Sequence, residues 1–461
     1  MSAGGAAATA CGTAAAPLRA LPEPPGPRGI PFAHLPAFRR DPLGFLARVQ
    51  REHGDVARFR FGPRRIYLLA HPEHVRQVLV TDHRNFIKSR ALQRARVVLG
   101  EGLLTSEGDH HLRQRRLAQP AFHRERIAAL AETMVAYAGR AAERWRPCGE
   151  LEVAREMNRL ALAIAGKTLF GAEVEEEGDE IGAALNDVML AFRRLTNPIG
   201  VLLDRLPVPG TLRVRRASER LNATIFRMIA ERRRTGEDRG DLLSMLLAAV
   251  DDEGDGGGMT DEQLRDEALT LFLAGHETTA NALAWTWHLL ALHPEAEAAV
   301  HAEVDAVLAG RAPTAGDLPR LPVTRAVLAE SMRLHPPAWA IGRQPLEDFA
   351  VGGYRVPAGV VVLMSPWLTH RDSRWWPDPE RFDPGRWSPE REAELPRFAY
   401  FPFGGGPRKC IGEGFAWTEG ILVLAAIARG WRLRHAPGAK VGRQPLITLR
   451  PTGLRMIAEP R

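Results

Sequence analysis

The stretch Phe403-Gly404-Gly405-Gly406-Pro407-Arg408-Lys409-Cys410-Ile411-Gly412 places one cysteine between a glycine-rich loop and a long apolar run. The run predicts a helix over about 410–428, with Cys410 at its start. Loop N–H groups and a helix N-terminus both favour a thiolate there. The glycines let backbone N–H groups approach the sulfur, and Gly412 leaves room for a flat ligand. Arg408 can pair with a carboxylate of that ligand. A buried thiolate whose sulfur is hydrogen-bonded is what an iron-thiolate site requires. A lone cysteine after a Gly/Pro turn is otherwise an ordinary core residue. Spacing separates the two readings: Phe403, Gly406, Arg408, Cys410 and Gly412 stand at fixed intervals within this one segment.

Upstream, Thr260 and Gln263 have the spacing of a capping box. The apolar pattern then runs to His293, where Pro294 stops it, predicting a helix about 50 Å long at 1.5 Å per residue. Its middle reads Ala274-Gly275-His276-Glu277-Thr278-Thr279. Gly275 gives room over a planar ligand, and the threonine hydroxyls can bond a backbone carbonyl one turn back. The Glu277–Thr278 acid–alcohol pair can relay protons to bound dioxygen. A polar strip between packed helices is the plainer reading of the same residues.

Glu330-Ser331-Met332-Arg333 is an i,i+3 acid–base pair, which is common on helix surfaces. It gains meaning from Phe382-Asp383-Pro384-Gly385-Arg386-Trp387, where Arg386 offers a third charge; Arg381 competes for that place. His111 and Arg115, four apart on a predicted helix, and Arg343, after the Pro336-Pro337 turn, are further basic candidates. Solvated helix charge is the alternative for these three.

Together these segments resemble the cytochrome P-450 superfamily. The motifs F-x-x-G-x-R-x-C-x-G, A/G-G-x-D/E-T, E-x-x-R and F-x-P-x-R fall in order at 403–412, 274–278, 330–333 and 382–386. The resemblance runs from about Pro24 to the last residue. It implies a mainly α fold with small β-sheets, and haem b (iron-protoporphyrin IX) held between the long central helix and the cysteine loop. One haem domain over 24–461 would follow a flexible segment, 1–23. Cys410 would be the axial ligand of the iron, with Phe403 beside it. Arg408, His111, Arg115 and Arg343 would hold the propionates, and Gly412, Ala274 and Gly275 would lie along the ring. His111 stands where many members carry tryptophan. Thr278 and Glu277 would be catalytic, supporting dioxygen and feeding it protons. Glu330, Arg333 and Arg386 would form a structural network under the haem. The implied reaction is monooxygenation, with electrons from NAD(P)H through ferredoxin reductase and ferredoxin. Val80-Thr81-Asp82, the stretch 114–123 and Phe415-Ala416-Trp417-Thr418-Glu419 are similar to bacterial terpenoid oxidases. That likeness implies a sesquiterpene or other terpenoid of secondary, antibiotic-type metabolism. A macrolide, steroid or fatty acid is the alternative substrate.

The composition agrees. The chain has 461 residues, 45% hydrophobic and 25% charged, enough to bury a large core around a ligand. Three cysteines, Cys11, Cys148 and Cys410, with no CxxC spacing, exclude a disulfide framework and a thiolate zinc site. Net charge is +7, carried almost wholly by arginine and spread along the chain, so nucleic acid is a weak reading. No run of 18 apolar residues and no secretory signal are visible, so a cytoplasmic monomer without a membrane anchor is expected. Asp251-Asp252-Glu253-Gly254-Asp255 spells the DDxxD motif of terpene cyclases, but it runs into three glycines. Carboxylates hold magnesium only when a scaffold aims them. Phe272, Ala338, Trp339 and Ile341 are the expected apolar pocket wall, and Arg113, Arg116 and Lys409 the expected ferredoxin-docking charges.

Overall fold

A computed structural model of the chain describes residues 18–29, 32–145, 149–171, 209–254 and 256–461. Helix α1 (Pro42–His53) starts where its sequence says it should, at Asp41, whose carboxylate accepts from the Gly44 N–H at 2.9 Å. Strands β1 (Val56–Phe61) and β2 (Arg64–Leu69) form an antiparallel hairpin around Gly62, which takes φ +61°. They are joined in one sheet by β3 (Phe86–Lys88), β4 (Ile341–Pro345) and β5 (Val361–Met364), in the order β1-β2-β5-β4-β3. The register sets Lys88 opposite Arg343. Two basic side chains that are distant in sequence are thereby brought together.

The helical body is built by α2 (Gly108–Ala118), α3 (Ala131–Arg144), α4 (Val153–Phe170), α5 (Pro209–Thr235), α6 (Asp261–Leu292), α7 (Pro294–Leu308), α8 (Pro322–Leu334) and α9 (Glu413–Ala428). Both capping-box bonds of α6 form, Gln263 N–H to Thr260 at 3.3 Å and Thr260 N–H to Gln263 at 3.0 Å. Its 32 residues span about 48 Å. A helix apolar on every side must be buried on every side. Accordingly α6 lies between α4, α5, α8 and α9, with Trp285 and Trp287 fully enclosed. The chain ends in β6 (Trp431–His435), β7 (Gly442–Pro445), β8 (Leu449–Thr452) and β9 (Arg455–Pro460), two small sheets that close over the C-terminal half of α6.

One expectation is corrected here. Helix α9 begins at Glu413, so Cys410 lies in the loop before it; Lys409 and Cys410 have left the short turn Gly406–Arg408 and not yet entered the helix. At the end of the proline-rich lead-in, the Pro22 carbonyl accepts from Arg355 N–H at 2.9 Å, and Glu23 pairs with Arg58. Cys11, Cys148 and Asp255 lie outside the described residues. Among the described residues no helix is long and apolar enough to cross a membrane.

Candidate functional site

Between residues 266 and 287 of α6, only Ala274, Gly275 and Thr278 are not fully buried. Their spacing of i, i+1 and i+4 puts them on one face. A Cβ added at Gly275 would meet nothing within 4 Å, so this face looks onto open space. The Thr278 hydroxyl donates to the Ala274 carbonyl at 2.8 Å, which parks it over that opening. The next residue, Thr279, is buried and hydrogen-bonded to Glu419 of α9, fastening the two helices together.

Ahead of α9, the cysteine loop turns through Gly404 (φ +71°) and Gly406 (φ +67°). A side chain at Gly406 would collide with the Leu79 carbonyl at 1.8 Å, so glycine is obligatory there. The Cys410 N–H donates to the Phe403 carbonyl at 2.9 Å. Cys410 is deep among protein atoms yet its side chain is exposed. The two facts agree if the thiol is the floor of a cleft, open on one side. Burial pushes the thiol pKa up, against the Gly412 N–H and the Arg115 and Lys409 charges, which pull it down. A thiolate there needs a cation bound at the open side.

Beside this cleft lies an excess of positive charge. Arg408 pairs with Glu107 and donates to the Ser106 carbonyl at 2.7 Å. Arg115 donates to the Lys409 carbonyl at 2.6 Å, bracing the cysteine loop. Among the described residues, Arg343 donates only to the adjacent Gly342 carbonyl, and burial brings its pKa down to about 10. His111 is buried and held neutral, near 3, by burial and then by Arg408 and Lys88. Lys88 is 5% exposed and donates to the Leu103 and Ser106 carbonyls at 2.6 and 3.2 Å; burial, then Arg408, pushes it down to about 6. Sequence reasoning missed Lys88, and its signal was faint: one of four lysines, at the end of a short strand. Lys88, Arg343 and Arg408 surround one carboxylate, Glu107. Buried charge of one sign calls for its opposite, and the two propionates of a haem would supply it. The exposed thiol, the open stripe on α6 and this cation cluster therefore fit a thiolate-ligated haem.

Below, Glu330 and Arg333 are wholly buried and joined by two bonds of 2.8 Å. Arg333 also donates to the carbonyls of His370, Pro379 and Arg381. The Arg386 side chain reaches Glu330 at 3.4 Å, whereas Arg381 contributes only its carbonyl. Trp387 Nε1–H and the Asp383 N–H, each at 3.0 Å, also donate to Glu330.

The cytochrome P450 family model matches residues 24–455, across this whole arrangement. The chain belongs to the cytochrome P450 family. It is 46% identical over 439 residues to cyclooctatin synthase of Streptomyces melanosporofaciens, covering 94% of this chain and 95% of the relative. It is 43% identical to cyclooctat-9-en-7-ol 5-monooxygenase of the same organism (97% and 98% covered). It is 38% identical to pentalenene oxygenase of Streptomyces avermitilis (94% and 95% covered). Among solved structures, the cytochrome P450DA heme domain superposes with a TM-score of 0.86 at 28% identity, covering 96% of this chain and 98% of that one.

Within this P450, several expected site residues are engaged elsewhere. Glu277 is buried, and its Oε1 accepts from Arg450 Nε at 2.6 Å and from the Thr448 hydroxyl. These bonds anchor α6 to β8, while the other carboxylate oxygen, Oε2, is buried without a partner. Trp339 is 9% exposed, packs among Phe45, Leu46 and Trp367, and donates to the Leu446 carbonyl at 2.8 Å. It is core, not pocket wall, because its indole N–H found a partner on the far side. Phe272 is likewise enclosed, edge-on to Phe170 at 5.4 Å. Ala338 and Ile341 are partly open, and Ile341 reaches towards Gly404 of the cysteine loop. Arg116 grips Asp251 with two bonds of 2.8 Å, and Arg113 stands 3.7 Å from the same carboxylate. This removes Asp251 from any cation site; no group of three or more metal-binding side chains exists among the described residues.

Proposed function

We propose that this P450 hydroxylates a cyclic terpenoid, and that Cys410 is the axial ligand of its haem. The observation that carries the substrate class is similarity along nearly the full chain to relatives named for cyclooctat-9-en-7-ol and pentalenene, one an alcohol and one a hydrocarbon by name. The expectation of a sesquiterpene therefore widens to cyclic terpenoid hydrocarbons and alcohols. When bound, haem supplies the monooxygenation: one oxygen atom of dioxygen enters a C–H bond and the other leaves as water.

The chain's own residues have distinct tasks in this reading. Cys410 donates the thiolate, its charge steadied by the Gly412 N–H and Arg115. His111, Arg115, Arg343 and Arg408 hold the propionates, joined by Lys88. Ala274, Gly275 and Gly412 leave room for the ring, and Phe403 flanks the sulfur. Thr278 holds a hydroxyl at the face where dioxygen must lie. Glu277, fixed by Arg450, keeps that turn of α6 in place. Ala338 and Ile341 offer apolar wall to the substrate. Electrons come from NAD(P)H through ferredoxin reductase and ferredoxin in the cytoplasm. Lys409, 48% exposed beside the thiolate and paired with Glu413, is one docking charge for ferredoxin; Lys409→Glu should raise the apparent KM for ferredoxin.

The test is an optical titration of the haem-loaded protein with cyclic terpenes, fatty acids and macrolides. A shift of the Soret band to high spin with the terpenes alone supports the reading. Shifts only with macrolides or fatty acids overturn the substrate class.

A further inference from the structure

At the far end of α6 from its capping box, the fold leaves a half-open cavity of about 230 Å³. At about 30 Å³ per molecule that is room for some eight waters. Its lining includes the apolar side chains of Leu289 and Leu292 together with Arg371, Arg443, His288 and His335. Trp285 lies seven residues beyond Thr278, about 10 Å farther along the helix axis. The intervening positions are buried, so the cavity is separate from the cysteine cleft.

Its polar groups are incompletely satisfied. The Arg371 side chain is 9% exposed, and its Nη1 is buried without a partner. The rest of its guanidinium is fixed by Glu380 at 3.1 Å, by the Leu334 carbonyl and by stacking 3.4 Å over Trp367. Arg443 lies over the same ring at 5.2 Å and has no carboxylate partner among the described residues. His335 is 6% exposed, stacked on Trp285 at 4.0 Å, and its Nδ1 is also buried without a partner. Glu380 is the one acid on the lining, and its side chain is 70% exposed. Buried donors without acceptors cost about 1–3 kcal/mol each. Arg443 adds a positive charge without a carboxylate partner among the described residues; burial first lowers Arg371 to about 9 despite Glu380, and burial, then His435 and Arg443, lowers His288 to about 4. A cation would make this worse. An anion with an apolar body would satisfy the donors and cover the exposed Leu292 at once.

We propose that this cavity is a second ligand site, binding a small organic carboxylate or phosphate monoester through Arg371, Arg443 and His335. The apolar part of the ligand lies on Leu289 and Leu292. Its occupation is independent of the haem cleft.

Isothermal calorimetry on the haem-loaded full chain tests this, with phenylacetate, phenyl phosphate and, as uncharged control, 2-phenylethanol. The expected result is saturable one-to-one binding of at least one anion, no binding of the alcohol, and an unmoved Soret band. Whichever anion binds more tightly identifies the acid class. Arg443→Gln, at an exposed position, should weaken binding about tenfold, and Arg443→Glu should abolish it with far-UV dichroism unchanged. Absence of saturable heat with both anions, equal binding of the alcohol, or unchanged binding in Arg443→Glu overturns the proposal.

Discussion

Replacing Arg333 by lysine keeps the charge but removes the geometry that the region under the haem depends on. Arg333 makes five bonds: two of 2.8 Å to Glu330, and one each to the carbonyls of His370 (2.8 Å), Pro379 (2.7 Å) and Arg381 (3.0 Å). Lysine has three donors, so at least two of the five bonds are lost. The site is fully buried and water cannot take their place. At about 1–3 kcal/mol per orphaned group, Arg333→Lys should cost about 2–6 kcal/mol. Arg386→Lys is the control. It gives up one bond, to the Asp378 carbonyl at 3.0 Å, and a 3.4 Å approach to Glu330, so about 1 kcal/mol is expected. Urea unfolding of the haem-loaded enzyme, followed by far-UV circular dichroism and the Soret band together, compares the two variants under identical haem saturation. If Arg333→Lys is no less stable than Arg386→Lys, the buried network is not what holds this region.

Four further outcomes follow from the same geometry. Glu267 on α6 accepts from the Leu103 N–H, and burial raises its pKa from 4.5 to about 8. The folded state therefore holds a proton that the unfolded state lacks between those values, so its contribution to stability declines as pH rises through that window; Glu267→Gln should flatten this part of the melting-temperature profile. Arg450→Leu should cost about 3–5 kcal/mol, because it strands the buried Glu277 carboxylate, and Arg450→Leu/Glu277→Gln together should cost less than Arg450→Leu alone in denaturant melts. Arg343→Leu should release haem to a scavenging apoprotein at least tenfold faster than the parent, with far-UV dichroism unchanged. Trp339→Phe should lose about 1 kcal/mol with the Leu446 bond yet leave terpene binding, read by the Soret shift, as it was.

Much of the frame was legible because its signals are local. Asp41 before Pro42, the Thr260–Gln263 box and Pro294 are start and stop chemistry written in adjacent residues. The cysteine loop was legible because its glycines leave few alternatives: Gly406 admits no side chain against Leu79. The readings that changed were questions of direction. Glu277 and Thr278 are neighbours in sequence but point about 100° apart on a helix, so one opens to the cleft and the other meets Arg450 from a strand far along the chain. Trp339 looked like apolar wall until its indole N–H found Leu446. Lys88 joined the site through strand register with Arg343, which neither segment announces alone. The choice between Arg381 and Arg386 likewise waited on which side chain turned inward.

The most direct test of the account is the optical spectrum of the ferrous, carbon monoxide-bound holoprotein and of its Cys410→Ser variant. The account predicts a long-wavelength thiolate-type Soret band in the parent. In the variant that band should be lost while haem stays bound and far-UV dichroism is unchanged. A haem-loaded parent without that band, or a Cys410→Ser variant that keeps it, would contradict the assignment of Cys410 as the iron ligand and the function built on it.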